Sequence, residues 1–267
     1  MHSLEKPLDH LLSDGGFCAI FRSIGCIGDS LASGEHESLT GGQKGYHDYY
    51  EYSWGQYMAR ACGATVQNFS VGGLTAQGFL EKMAQKDPRF ALYQPEKKCQ
   101  AYIVALGCND ITAVLQGKLE MGDISDVHPQ AHSENAPSFA GYMGAILSHI
   151  KAVEPKARIF LLTMPQRPDA DPQRVPLQER HAQLMYQLAE LFEYTYVIDL
   201  RQYAPAHDAD FREVYYLGGH LNAMGYLLTA KQLMSYIDYI IRTHPEDFAQ
   251  TAFIGRGGDL HNESQKW

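Results

Sequence analysis

The stretch Ser23-Ile-Gly-Cys-Ile-Gly28-Asp29-Ser30-Leu31 decides the fold. Its first six residues form a short apolar run closed by a glycine. A run of that length without polar alternation reads as a strand buried on both faces, as in a parallel sheet. Four further runs read as strands: Thr65–Ser70 (TVQNFS), Ala101–Leu106 (AYIVAL), Arg158–Thr163 (RIFLLT) and Thr195–Leu200 (TYVIDL). Helical patterns separate them. Phe139, Tyr142, Met143, Ile146, Leu147, Ile150 and Val153 recur at helical spacing. Leu177, Leu184, Met185, Leu188, Leu191 and Phe192 make a second stripe, and a third runs from about Ala223 to Ile241. All three read as core faces. Strands alternating with helices predict a three-layer α/β/α sandwich, doubly wound around a five-stranded, mostly parallel sheet.

The chain has 267 residues, 45% of them hydrophobic and 20% charged, the profile of a globular protein long enough to bury a core without disulfides. No composition shift or repeat marks a second domain, so one domain over 1–267 is expected, with a core at about 20–244 and a polar, Gly-rich extension over 245–267. The formal net charge of −9 argues against nucleic acid or an anionic membrane surface as a partner, since both require clustered positive charge. No apolar stretch reaches the ~18 residues of a membrane span. The first residues show no basic segment followed by an apolar one, so no secretion signal is read and a cytoplasmic location is expected. Five scattered cysteines, none in CxxC spacing, indicate neither a disulfide framework nor a zinc site.

In doubly wound sheets, ligands bind beyond the carboxyl ends of the strands, so the residues following each strand carry the chemistry. After the first strand comes Gly28-Asp29-Ser30-Leu31, whose serine is either a nucleophile at the sheet edge or a helix cap. After the second comes Asn68-Phe-Ser-Val-Gly72-Gly73, where paired glycines can turn tightly and free an amide for a ligand. After the third comes Gly107-Cys108-Asn109-Asp110, whose Asn109 can donate to a developing oxyanion or simply shape a turn. Before the last helix stands Gly218-Gly219-His220-Leu221-Asn222, with His220 a candidate base or a capping residue.

Taken in order, these four blocks, from about Ser23 to Tyr226, resemble the SGNH hydrolases, the GDSL lipases and esterases. The resemblance implies that Ser30 is a nucleophile forming an acyl-enzyme on a small carboxylic ester. The backbone amides of Ser30 and Gly73 and the side chain of Asn109 would form the oxyanion hole. His220 would take the Ser30 proton. The chemistry implied needs no cofactor and no metal. Its partner would be a small-molecule ester, possible alternatives being a thioester, a lysophospholipid or an acyl acceptor using the same nucleophile, without stable membrane association. Asp29 and Asp110 read as structural.

One position departs from the family pattern, which has an Asp three residues before the His. Here it is Leu217, which cannot accept a hydrogen bond. A backbone carbonyl near Leu217 or Gly218, or a carboxylate from elsewhere, must orient the imidazole; Asp199, Asp208, Asp210 and Glu213 are in range by sequence. A ligand-binding protein with a weakened site is the second reading, and a flavodoxin-like nucleotide binder is disfavoured because no phosphate-binding glycine loop follows the first strand. The aromatic segment Gly45-Tyr-His-Asp-Tyr-Tyr-Glu-Tyr-Ser-Trp54 divides into early tyrosines that lean toward a sugar or acyl pocket and a Trp54 that leans toward the core. Glu35-His36-Glu37 and His207-Asp208 lack metal-ligand spacing and read as solvated loops. The connection from Thr112 to Pro137 is long enough to be a cover or a mobile segment.

Overall fold

The computed structural model describes residues 5–251. In chain order its regular elements are β1 Ser23–Gly28, α1 Ser30–Ser33, β2 Glu35–Thr40, β3 Gln43–Asp48, α2 Trp54–Cys62, β4 Thr65–Ser70, α3 Ala76–Ala84, β5 Ala101–Ala105 and α4 Cys108–Leu115. There follow α5 Phe139–Val153, β6 Arg158–Leu162, α6 Arg174–Leu191, β7 Thr195–Ile198, α7 Leu200–Tyr203, α8 Ala209–Tyr215, β8 Tyr216–Leu217, β9 His220–Leu221, α9 Ala223–Thr243 and α10 Pro245–Phe248.

The central sheet has the order β4-β1-β5-β6-β7, and every pairing in it is parallel. Apolar side chains on both of its faces are buried. One face packs with α3, α5 and α6 through Phe69, Phe79, Phe139, Ile146 and Leu188; the other packs with α2 and α9 through Ile24, Trp54, Met58, Phe160 and Ile237. Four of the helices on the two faces begin on side-chain caps. Ser53, Thr75, Ser138 and Asn222 each accept a bond from a first-turn amide that the helix itself leaves without a partner. The strand order reverses between β1 and β5, the crevice where doubly wound folds bind ligands. The segments after β1, β4 and β5 therefore converge at one edge.

Three expectations need correction. Strands β5, β6 and β7 end one or two residues early, because the chain is already turning; Asp199, for instance, caps α7 by accepting from Gln202 N. The connection from Thr112 to Pro137 begins as the last turns of α4 and is then tied down. A capping box joins Asp123 to Asp126, Ser138 Oγ donates to Asp126 Oδ2 at 2.7 Å, and Val127 fills the space that Gly144 leaves on α5. It packs beside α5, and none of its residues lines the cavity around Ser30. Finally, the extension from 245 opens with α10, whose buried Phe248 stacks on Tyr196 and meets Phe21 edge-on; residues 252–267 lie outside the described part.

A hairpin that no apolar pattern announces follows the first strand and α1. Strands β2 and β3 form an antiparallel hairpin closed by Gly41-Gly42, both with positive φ (60° and 81°). Two such residues in a two-residue turn match the twist of a hairpin, and glycine adopts them without steric cost. The hairpin follows Ser30 directly and lies against β9.

Candidate active site

Ser30 is the first residue of α1. Asp29 caps that helix by accepting from Leu31 N at 3.0 Å, and Gly34 closes it with φ 81°. The cavity around Ser30 has a volume of about 240 Å³ and is lined by Asp29, Asn109, Arg167, Arg174, His207 and His220, among others. The four residues expected from the sequence meet at the carboxyl edge of the sheet: Ser30, Asn109 and His220 line this cavity, and Gly73 stands on the turn after β4 with φ 72° and open space where a Cβ would be. Among the described residues no acceptor bonds the backbone amides of Ser30 and Gly73. Asn109 Nδ2 lies 3.2 Å from both Asp29 Oδ2 and Leu74 O, so its amide is aimed into the crevice but shared with two acceptors.

The carboxylate missing at Leu217 comes from the hairpin. Side chains two apart on a strand share a face, so Glu35 and Glu37 both project from β2 toward β9. Glu37 Oε1 lies 2.8 Å from His220 Nδ1 and accepts from Gly219 N at 2.7 Å. Its carboxylate fills the space beside Gly218 and Gly219 where side chains would collide with it. The Leu217-Gly-Gly-His220 turn is therefore a cradle for Glu37, and Leu217 itself is half exposed on the turn's outside. Although burial opposes ionisation, bonds from Lys44, His220 and Gly219 hold the Glu37 carboxyl below its ordinary value, so it remains a carboxylate.

Glu35 meets the other ring nitrogen. Its Oε1 is 3.1 Å from His220 Nε2, and its Oε2 packs against Gly72. Burial pushes the Glu35 carboxyl up, against the pull of His220. Tyr226 OH donates to Glu35 O at 2.6 Å and so anchors the hairpin to α9; Ser33 Oγ donates to Asp48 Oδ1 at 2.8 Å and anchors it to α1.

The candidates considered for the missing acid lie elsewhere. Asp199 accepts from Thr163 Oγ1 and Tyr186 OH, both at 2.8 Å, and Asp208 caps α8 by accepting from Phe211 N. Asp210 and Glu213 are on α8, and neither bonds His220. Glu35-His36-Glu37 is not a solvated loop; a Gly-Gly pair between two polar runs was the signal that could have revealed its hairpin. Asp29 and Asp110 serve the scaffold, Asp110 by accepting from Ala76 N at 2.9 Å. Burial raises Asp29 to about 6, with Leu31 N and His220 opposing, and raises Asp110 to about 7. Behind the β5–α4 turn, the buried His181 donates from Nε2 to Leu106 O at 2.9 Å, and burial lowers it to about 4. It fills the space opposite Gly107 and stacks on Phe139.

The aromatic segment divides as expected. Tyr46, which pairs with Glu37 across the hairpin, sets its edge on the His220 ring with centroids 5.8 Å apart, whereas Trp54 is buried in the core. Beneath the Ser30 cavity, Leu31, Trp54, Leu106, Leu162, Leu200 and Leu221 line a smaller apolar space of about 90 Å³.

Similar folds occur among solved structures. A family two carbohydrate esterase from Clostridium thermocellum, in complex with cellohexaose, superimposes with a TM-score of 0.60 at 15% identity, over 83% of this chain and 65% of that one. A psychrotrophic esterase from Pseudoalteromonas sp. gives 0.53 at 14% identity over 83% and 99%, and an acetyl xylan esterase gives 0.53 at 14% over 80% and 99%. No curated protein matches the chain. The model of the GDSL-like Lipase/Acylhydrolase family matches residues 26–228, a span that runs from β1 into α9 and holds Ser30, Gly73, Asn109 and His220. The chain belongs to that family.

Proposed function

We propose that the protein is a serine esterase that cleaves a small carboxylic ester, with acylated carbohydrates as the leading class, through an acyl-enzyme on Ser30. The observation that carries this reading is the bond of 2.8 Å between His220 Nδ1 and Glu37 Oε1 in the cavity of the candidate nucleophile. It supplies the carboxylate that Leu217 cannot, and so removes the main ground for a ligand-binding protein with a weakened site.

The steps follow from the geometry. A substrate carbonyl enters beside Gly73 and displaces the Glu35 carboxylate from His220 Nε2. Nε2 then takes the proton of Ser30 Oγ as that oxygen attacks the carbonyl carbon. Glu37 keeps the Nδ1–H tautomer in place and stabilises the imidazolium. The amides of Ser30 and Gly73 and Asn109 Nδ2 receive the oxyanion, Asn109 yielding one of its two long bonds. Collapse of the tetrahedral intermediate expels the alcohol, which leaves with the proton held by His220. Water, deprotonated by His220, releases the acid and restores Ser30. The sugar preference is supported by the exposed ring of Tyr46, which meets the His220 ring and offers a flat apolar face for stacking.

The test is hydrolysis of 4-nitrophenyl esters from acetate to octanoate by wild type and Ser30→Ala. Turnover on the short esters that vanishes in the variant supports the reading. Equal turnover in both proteins contradicts it.

A further inference from the structure

The protein carries a net charge of −9, yet one wall of the Ser30 cavity is basic. The loop after β6 brings Arg167 to it, and the first residue of α6 is Arg174. Neither guanidinium is neutralised in the ordinary way. Arg174 donates to Thr112 Oγ1 at 3.0 Å and Cys108 O at 3.1 Å, both uncharged. The Nε of Arg167 is buried and makes no hydrogen bond among the described residues; the nearest carboxylate oxygen, Asp169 Oδ1, is 3.9 Å away. Asp169 is meanwhile bonded at 3.1 Å by Arg212, which also lies over the Tyr216 ring. Asp169 is thus shared by Arg167 and Arg212, and among the described residues no carboxylate lies within ion-pair distance of Arg174. Of the residues that line the cavity only Asp29 is acidic, and it accepts from Leu31 N and Asn109. The excess positive charge is felt next door, where burial and then Arg167 and Arg212 lower His207 to about 4 and so keep it neutral.

A buried, unpartnered guanidinium N–H is costly unless a ligand completes it, and guanidinium forks suit planar carboxylates and phosphates. We propose that the ester substrate carries an anionic group, a carboxylate or a phosphate, which Arg167 and Arg174 bind within the cavity that holds Ser30. This deepens the esterase reading and rests on it for turnover, while the binding itself does not depend on Ser30. The anion positions the ester, and proton transfer remains with His220 and Glu37.

Three aryl acetates separate the cases: methyl 4-acetoxybenzoate, which is neutral, 4-acetoxybenzoate and 4-acetoxyphenyl phosphate. Each kcat/KM is normalised to the hydroxide-catalysed rate of the same ester, which removes leaving-group differences. Wild type is expected to favour an anionic ester over the neutral one by about 10- to 100-fold, in line with a charge-assisted hydrogen bond. Whichever anion shows the larger ratio identifies the source. Arg167→Gln with Arg174→Gln collapses the ratio toward one, and Arg167→Lys with Arg174→Lys restores part of it; a merely structural defect lowers all three rates together and leaves the ratio standing. A wild-type ratio of one or below, or a ratio unchanged in the double Gln variant, overturns the proposal. Calorimetric titration of Ser30→Ala with 4-acetoxybenzoate and with 4-acetoxyphenyl phosphate reads the same subsite without turnover. Binding of either that is lost in the triple variant keeps the anion subsite even if no ester is hydrolysed, and absence of binding by both overturns it even if esters are.

Discussion

His220 stands between two carboxylates, and neutralising each should have opposite effects. In the proposed mechanism Glu37 supports the imidazolium that forms as Ser30 is deprotonated, so Glu37→Gln should lower kcat on 4-nitrophenyl acetate by about 10²–10⁴-fold with little change in KM. Glu35 competes for Nε2, the atom that must accept the Ser30 proton. A neutral amide competes less strongly than a charged acceptor, so Glu35→Gln should raise kcat/KM a few-fold. A fall as deep as that of Glu37→Gln would instead make Glu35 the supporting acid. Asp110 offers a test at the level of stability. Burial raises its carboxyl to about 7, so the folded state holds the proton more tightly than the unfolded chain does. The favourable protonated form is lost as pH rises from about 4 through about 7. Asp110→Asn, which can still accept from Ala76 N, should therefore gain on wild type by roughly 2–4 kcal/mol between pH 4.5 and 8. Urea denaturation at the two pH values measures this, and a difference that stays constant would contradict it.

At the scale of elements, the β2–β3 hairpin and the β8–β9 turn are built for one another. Gly219 N bonds Glu37, and a Cβ at Gly219 would stand 2.6 Å from Glu37 Oε1. The φ of Gly219 does not require glycine, so Gly219→Ala should fold and yet push Glu37 off Nδ1. Its kcat should then fall toward that of Glu37→Gln while its melting temperature stays within a few degrees of wild type; full activity would mean that the cradle does not position the carboxylate. The core strands were legible because continuous apolar runs such as Ile24–Ile27 and Tyr102–Val104 have no reading other than burial on both faces. The hairpin was not, because Glu35-His36-Glu37-Ser38 and Lys44-Gly-Tyr-His47 pair as polar strands outside the main sheet, where no apolar alternation marks them. For the same reason the site was half legible. Ser30, Gly73, Asn109 and His220 each follow or precede a regular element at the sheet's carboxyl edge. Glu37 reaches His220 across 183 positions of sequence, and no local pattern announces such a pairing.

The whole molecule is a GDSL-like acylhydrolase scaffold in which two walls of one crevice differ in kind. The hairpin wall carries the carboxylates and tyrosines, and the β6–α6 wall carries the arginines. None of its described helices is long and apolar enough to cross a membrane. The apolar space below Ser30 is small, about 90 Å³ against about 240 Å³ for the Ser30 cavity. Acetyl to butyryl esters should accordingly be turned over, with kcat/KM falling at least tenfold by octanoate; a rate that rises with chain length would contradict this cavity as the acyl site. The proposed function rests on Ser30 as a nucleophile activated by the His220–Glu37 pair. Its most direct measurement is mass-spectrometric mapping after exposure to diethyl 4-nitrophenyl phosphate, which transfers one diethylphosphoryl group to an activated serine and releases 4-nitrophenolate. The expected result is a single adduct on Ser30, absent from Ser30→Ala and formed far more slowly in Glu37→Gln. An adduct on another residue, or the same adduct rate in Glu37→Gln as in wild type, would contradict it.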